Sequence, residues 1–556
     1  MTVHDLDDGE AAGGNSRVDA GRSGLSPPPG AAAAAQNFHA AVSFHQRGQL
    51  GEAEQLYRAV LQIDDSNFHC LHNLGLVFAQ GGRFDEAAAM LRAAIRQDPR
   101  SVDAHSNLGN VLAARGDRDG AAASFRCAIA LKPDHAEARN NLGTVLAMRG
   151  EAGEAMAQYQ QALALAPDHV EARVNLGNLL REQGRLDEAA VHLARALTTR
   201  PRMPEVHYHL GSVQRRRGKI GEAAACYERA IALKPDFAEA HCDLGIVLLE
   251  QRRPAAAQPC FERALALKPG ASEAWLGLGH VFQQAKRYDD ALAAYGKASE
   301  LPEAWLGRGL ALQRLKRLDE AVAAYRQALA KGGDADVARY NLASLGAEAV
   351  PSATPRQIVA RTYDQYAVHY DQHHLGPLKY QTPALLFDAV ARFVPAAKLD
   401  ILDLGCGTGL SGARFHPLAR TLTGIDISSG MLDVARGRRI YDNLVCDDLI
   451  AFLQAQAGTF DLAVAADVFV YIGDLTAVFA GVHGALRAGG LFGFSVEAGP
   501  EQEFALRANL RYAHSLAYLR KLSENQGFAM ELIEQKILRQ EDGNDVAGIL
   551  AVLRRL

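Results

Sequence analysis

Residues 401–409 read ILDLGCGTG. An apolar run ends in Asp403, and glycines follow at 405, 407 and 409. LDILDL (399–404) reads as a strand, and the glycines after it as a sharp turn with a bare backbone. A side chain at any of the three would obstruct a ligand that must approach the main chain. Working outward, short apolar segments recur as TLTGIDI, NLVC, FDLAVAA and LFGFSVE. Helical segments fall between them, around 411–418, 429–439, 447–456, 474–487 and 514–526. Such alternation implies a mostly parallel sheet with helices on both faces and ligands at the carboxyl ends of the strands. The last two strands, roughly 528–540 and 545–554, have no helix between them and should form an antiparallel hairpin at the sheet edge.

A different pattern precedes this one. Gly75, Gly109, Gly143, Gly177, Gly211, Gly245 and Gly279 share one phase, each after a leucine. An alanine stands at a fixed distance beyond each (Ala87, Ala121, Ala155, Ala189, Ala223, Ala257, Ala291), followed by large residues such as Phe125, Tyr159, Tyr227, Phe261 and Tyr295. Prolines at 99, 133, 167, 201, 235 and 269 close the units. Small residues let two helices approach, the aromatic fills the gap, and proline starts the connection to the next pair. The pattern resembles a tetratricopeptide (TPR) array, which implies an all-α solenoid whose pairs bury their apolar faces by stacking. It begins near residue 34, with Ala41, Ala53 and Tyr57 in the repeat positions, and includes a shortened unit holding Trp305, Gly309, Ala321 and Tyr325. A closing helix is expected near 336–346, giving about nine repeats over 34–346.

The resemblance implies a peptide or protein partner on the concave face. Asn73, Asn107, Asn141 and Asn175 occupy one repeat position, which continues as His209 and Asp243. Stacked asparagines offer a donor and an acceptor apiece, which suits an extended peptide backbone. The ladder resembles that in the TPR arm of O-GlcNAc transferases. The competing reading is that these amides satisfy groups of neighbouring repeats.

The chain has 556 residues, 48% of them hydrophobic and 22% charged, with a formal net charge of −5. This balance gives no general reason to expect nucleic acid or an anionic membrane as partner. The seven cysteines are scattered and form no C-x-x-C, as in a reduced, cytoplasmic protein without a zinc site. The N-terminus is acidic and lacks a signal-peptide core, and no apolar run is long enough for a membrane span. Residues 1–33, rich in Gly, Ala, Pro and Ser, are expected to be disordered.

Small residues and two prolines at 346–356 mark a linker, placed at 347–356. Beyond it, RTYDQYAVHYDQHHLGPLKYQTPALLFDAV is dense in Tyr, His and Asp. It suits either a helical lid over a ligand or an amphipathic helix that packs its rings on the next domain. The glycine loop continues to Gly412 and so satisfies G-x-G-x-x-G, which a nicotinamide or flavin enzyme would also use. Three features favour S-adenosylmethionine. Asp403 precedes the loop, where a carboxylate neutralises an ammonium group and repels a pyrophosphate. Asp447 and Asp448 follow the third strand, placed for an adenine amino group. The chain ends in a hairpin.

Residues 357–556 resemble a class I, Rossmann-like methyltransferase with a mostly parallel seven-stranded sheet. LDLGCGTG is similar to that family's first motif, GIDISSGML to its second, and LRAGGLFGFSVE to the stretch into strand five. YDQYAVHYD (363–371), AADVFVYIGDL (465–475) and RYAHS (511–515) resemble bacterial methyltransferases containing TPR repeats, related to the Williams–Beuren-region methyltransferase. The resemblance implies methyl transfer from S-adenosylmethionine by in-line displacement, without a metal. It implies cofactor contacts from Tyr363, Tyr370, Asp403, Leu404, Gly405, Cys406, Gly407, Thr408, Gly409, Asp426, Ile427, Met431, Asp447, Asp448, Leu449 and Asp467. Within that set Asp403 and the loop would hold the methionine part, Asp426 the ribose, Ile427 the adenine face, and Asp448 or Asp447 the adenine amino group. Asp467, Tyr471 and His514 are the catalytic candidates, with Tyr512 and His369 as further possible bases. The acceptor stays open; absence of an N-P-P-Y motif favours a carboxylate, hydroxyl or thiol. The rival readings are a TPR scaffold whose methyltransferase-like domain does not turn over, and an oxidoreductase.

Overall fold

The computed structural model describes residues 31–556 apart from Pro377, Pro500, Gln502 and Asp542. The tail expected at 1–33 lies, as far as residue 30, outside the described residues. The chain divides into two compact units, one ending at Gly270 and one starting at Ala271.

Helix pairs of one design run from Ala31–Gln46 with Leu50–Leu61 to Pro302–Arg314 with Leu318–Ala330, and a single helix, Ala335–Ser344, follows. In the first unit, from the second pair onward, the repeat glycine is where the partner helix presses on the backbone. A Cβ on Gly109 would lie 2.6 Å from the Phe125 ring, and one on Gly143 2.7 Å from Tyr159. The large residue therefore lies directly on backbone, and alanines such as Ala87, Ala121 and Ala155 are fully buried beside it. Several first helices are capped by a side chain before their first turn: Asn67 accepts from the Cys70 amide and Ser101 from that of Ala104.

The second unit holds the last two helix pairs, the single helix, and an α/β domain that contains one nine-stranded sheet. Its strands are β1 (Leu399–Leu404), β2 (Ala419–Asp426), β3 (Asn443–Cys446), β4 (Phe460–Ala465), β5 (Leu486–Ala498), β6 (Phe504–Leu506), β7 (Tyr512–His514), β8 (Phe528–Glu541) and β9 (Asn544–Arg555). The order is β3-β2-β1-β4-β5-β7-β6, with β9 pairing both β5 and β8. β1 to β5 are mutually parallel, whereas β9 runs antiparallel to β5 and β8. The terminal hairpin is thus present, with β9 inserted between β5 and β8. The two strands beyond the expected seven are β6 and β7, a three-residue pair too short to leave an alternating pattern. β1 is buried along nearly its whole length because apolar layers cover both faces of the sheet. Strand order reverses between β1 and β4, and a crevice opens there at their carboxyl ends. Helix Arg356–Leu375, the tyrosine helix, and the linker before it lie in this same unit.

Candidate functional site

A cavity of about 160 Å³ lies at the carboxyl ends of β1 to β4. Its floor is the turn after β1. Gly405, Gly407 and Gly409 have φ of +62°, +54° and +90°, the left-handed region that side chains avoid. The three bare positions serve different ends. A Cβ on Gly405 would collide with Val468 at 2.5 Å. A Cβ on Gly407 would meet no protein atom within 4 Å, and this residue lines the cavity. At Gly409 the added atom would lie 3.0 Å from Arg438 Cδ and 3.1 Å from the Tyr441 ring.

Asp426, at the end of β2, holds the turn. Its Oδ2 accepts from the Gly407 amide at 2.9 Å and its Oδ1 from the Ser428 amide at 2.8 Å. Burial raises its pKa and these backbone bonds oppose the rise. Asp403 lies behind the loop, only 1% exposed. Tyr441 donates to its Oδ2 at 2.7 Å, and its Oδ1 has no partner. Burial pushes its pKa to about 7, against the pull of the Tyr441 bond and with a further push from Asp426.

The doubled acid separates into two roles. Asp448 caps helix Leu449–Gln454, accepting from the amides of Ile450 and Ala451 at 2.9 and 3.1 Å. Asp447 accepts from the Asp448 amide at 2.7 Å and faces Arg356 at 3.5 Å. Both line the cavity, as do Ile427, Met431 and Leu449.

The tyrosine helix forms the opposite wall. Asp364 accepts from the Ser428 hydroxyl at 2.6 Å and the Gly430 amide at 2.9 Å. Asp371 accepts from the Thr408 hydroxyl at 2.5 Å and pairs with Arg438. Pinned in this way, the helix brings Tyr363 and Tyr370 to the cavity, and the Tyr363 and Tyr471 hydroxyls are 2.7 Å apart.

Asp467 follows β4 with a left-handed φ of +60°, its amide donating to the Ser495 hydroxyl at 2.9 Å. Arg539 of β8 donates to its Oδ2 at 2.7 Å, while Oδ1 is buried without a partner. Burial raises the Asp467 pKa, and Arg539 and then Arg511 hold it down. Arg539 is 2% exposed and also pairs with Glu497 and Glu541.

Of the residues expected at the site, Tyr363, Tyr370, Gly405, Gly407, Asp426, Ile427, Met431, Asp447, Asp448, Leu449, Asp467 and Tyr471 line the cavity. Asp403, Leu404, Cys406, Thr408 and Gly409 stand behind that surface: Leu404 and Cys406 are buried beneath the loop, and Thr408 is bonded to Asp371. His514 is also removed from the lining. It is fully buried, shares a 2.9 Å hydrogen bond with the Gly473 carbonyl through Nε2, and lies parallel to Tyr518. Burial lowers its pKa to about 4, so the ring is neutral near pH 7. Tyr512 is buried, with its hydroxyl on the Pro351 carbonyl, and His369 is exposed. Sequence reading missed Tyr441, Arg539 and the linker residues Ala353, Thr354 and Arg356, which also line the cavity. Only the linker carried a signal, since Thr354 precedes Pro355 and a residue before proline is held extended at the entry to a helix.

In the first unit the asparagine ladder is a chain of side-chain bonds between repeats. Asn107 meets His72 at 3.0 Å, Asn141 donates to Asn110 at 3.1 Å, and Asn175 donates to Asn140 at 3.0 Å. Asn73 is half-buried. Among the described residues no cluster of His, Cys, Asp or Glu is placed to hold a metal ion, and no helix is long and apolar enough to cross a membrane.

Residues 402–492 match a family model described as a methyltransferase domain. Tetratricopeptide-repeat models match 72–133, 107–170, 146–210, 242–302 and 302–334, and a TPR-repeat model matches 211–251. The biotin biosynthesis bifunctional protein BioHC of Saccharophagus degradans is 31% identical over 27% of this chain and 26% of its own length. The probable S-adenosylmethionine-dependent methyltransferase CRG1 of Saccharomyces cerevisiae is 27% identical over 28% of this chain and 57% of its own. The malonyl-[acyl-carrier protein] O-methyltransferase of Serratia marcescens is 33% identical over 18% of this chain and 40% of its own. The chain therefore spans between about a quarter and somewhat over half of the length of these relatives. Fold and comparisons agree that the chain carries tetratricopeptide repeats followed, towards its C-terminal end, by a methyltransferase domain.

Proposed function

We propose that residues 357–556 form an S-adenosylmethionine-dependent methyltransferase and that the repeats over 34–346 recruit a protein or peptide partner to it. The observation that carries this reading is Gly407. Its left-handed turn is held by Asp426, and its absent side chain leaves open a cavity at the strand ends. That cradle and the orphaned Asp403 oxygen fit the cofactor. Asp426 would hold the ribose hydroxyls, Asp448 or Asp447 the adenine amino group, and Ile427 and Met431 the adenine faces. Asp403 would offset the ammonium charge through the thin loop in front of it. When bound, S-adenosylmethionine supplies a methyl group on a cationic sulfur for in-line displacement by a nucleophile.

The chain's own residues position and shield. The tyrosine helix excludes water from one side, and the Tyr363–Tyr471 hydroxyl pair fixes that wall. Asp467 offers its free oxygen to an acceptor O–H or S–H and takes the proton; for a carboxylate acceptor no base is needed. His514 is assigned a structural role. An oxygen or sulfur acceptor is supported by the absence of N-P-P-Y after β4, and oxygen in particular by the O-methyltransferase among the relatives. Seven free cysteines are consistent with action in the cytoplasm. The test is incubation of the full chain with methyl-labelled cofactor and fractionated cell extract. Label entering protein or small molecules only when the chain is present supports the reading; none in any fraction contradicts it.

A further inference from the structure

Helix Ala335–Ser344 is the last helix of the repeats, yet its Tyr340 sends hydrogen bonds toward the cavity from two sides. The side chain is 2% exposed. Its hydroxyl lies 2.8 Å from the Leu510 carbonyl and 2.7 Å from the Thr354 hydroxyl. A carbonyl only accepts, so Tyr340 donates its one proton to Leu510, and Thr354 must donate to Tyr340.

The first route runs through the linker. Thr354 lines the cavity beside Ala353. Its amide donates to the Tyr471 carbonyl at 2.8 Å, and the Gly473 and Asp474 amides donate to the Ser352 carbonyl at 2.7 and 3.0 Å. Ala353 pairs with Ile472 as an antiparallel bridge. The linker is therefore a splint along residues 471–474, and Tyr471 is the residue whose hydroxyl meets Tyr363 across the cavity.

The second route runs through the turn between β6 and β7. Leu510 is held there with φ +65°. The next residue, Arg511, pairs with Glu541 at 2.7 Å and Glu497 at 3.5 Å, and both acids also hold Arg539, the partner of Asp467. A second repeat residue, Gln313, donates to the Ala508 carbonyl of the same turn at 3.0 Å.

We infer that Tyr340 is a positioning residue for the cofactor cavity, and that the last repeat helix is structurally part of the methyltransferase. The inference rests on the function proposed above. It gives one hydroxyl, remote from the cofactor turn, control over both the tyrosine wall and the Asp467 wall.

The test uses the full chain and S-adenosylhomocysteine as the probe, with Tyr340→Phe, Thr354→Val, the double variant, and Tyr295→Phe as a control. Tyr295 is likewise a buried repeat tyrosine whose hydroxyl donates to a side chain, Gln283, at 3.0 Å, with no route to the cavity. Losing a hydroxyl whose two hydrogen bonds shape a site should weaken binding on the order of tenfold. Tyr340→Phe should do so, Thr354→Val should weaken binding no more than that because it leaves the Leu510 bond, the double variant should lose no more than Tyr340→Phe alone, and Tyr295→Phe should bind as the unaltered chain does. Amide exchange at Thr354 and Gly473 should quicken in Tyr340→Phe and stay unchanged in Tyr295→Phe. Unaltered affinity in Tyr340→Phe, or additive losses in the double variant, would overturn the inference. Absence of binding even to the unaltered chain refutes the proposed function. Exchange then decides the positioning role: quickened amides support it, and unchanged amides overturn it.

Discussion

Tyr441 and Asp403 meet at 2.7 Å beneath the glycine loop, the phenol donating to Oδ2. The ring explains glycines that a cofactor motif would otherwise claim. Added Cβ atoms on Gly409 and Gly424 would approach it to 3.1 and 2.8 Å, and Gly412 is also backed by it. Much of the G-x-G-x-x-G spacing here therefore seats a tyrosine, and Gly407 is the bare position that faces open space.

Tyr441→Phe should destabilise the domain by about 1–3 kcal/mol, because the buried Asp403 carboxyl would lose the phenol that donates to it. The midpoint of urea unfolding, followed by amide exchange in β1, measures this. A second substitution, Asp403→Asn, should recover part of the loss by removing the stranded carboxyl.

The pH dependence of cofactor binding follows from the same carboxyl. Its folded pKa, about 7, lies above the ordinary value of 3.8. The folded chain thus binds this proton more tightly than the unfolded chain. The resulting stability is complete below the ordinary value and is lost as pH rises through about 7. A ligand bearing an ammonium group favours the ionised form, so affinity should climb from about pH 5.5 to 7.5, approaching tenfold per unit at the acid end. Calorimetry in buffers of different ionisation enthalpy should register proton release in that window, and Asp403→Asn should abolish it.

Arg539→Met should cost as much as about 3–5 kcal/mol, since it strips the buried Asp467 of its ion-pair partner and leaves the buried Glu497 only the longer contacts to Arg507 and Arg511. Arg539→Lys should recover only part of this, because one ammonium does not reproduce a guanidinium fork that reaches three carboxylates. Chemical denaturation of the three proteins gives the ranking.

The periodic features were legible in the sequence because their causes are local. LDILDL is β1 to the residue, and the repeat glycines lie against the large residues that follow each alanine, as their spacing implies. The β1 turn and the acids after β2 and β3 were legible because their strands immediately precede them. Tyr441 was not, because its bond to Asp403 joins residues that only the fold brings together, and Arg539 reaches Asp467 from a strand at the far end of the domain. β6 and β7 are too short for a period to register. His514 appeared suited to catalysis by residue type alone; its burial against Tyr518 and its bond to Gly473 depend on tertiary packing. The linker read as a boundary because proline and small residues interrupt the helical pattern, yet Ala353 and Thr354 form cavity wall.

Titration of the Gly407→Val chain with S-adenosylmethionine tests the central claim most directly. The added Cβ meets no protein atom within 4 Å, so the main cost to the fold should be the strain of a left-handed valine, about 1–2 kcal/mol. Affinity should fall at least a hundredfold from that of the unaltered chain, while NAD binds neither protein. A valine variant that binds S-adenosylmethionine as tightly as the unaltered chain would contradict the account.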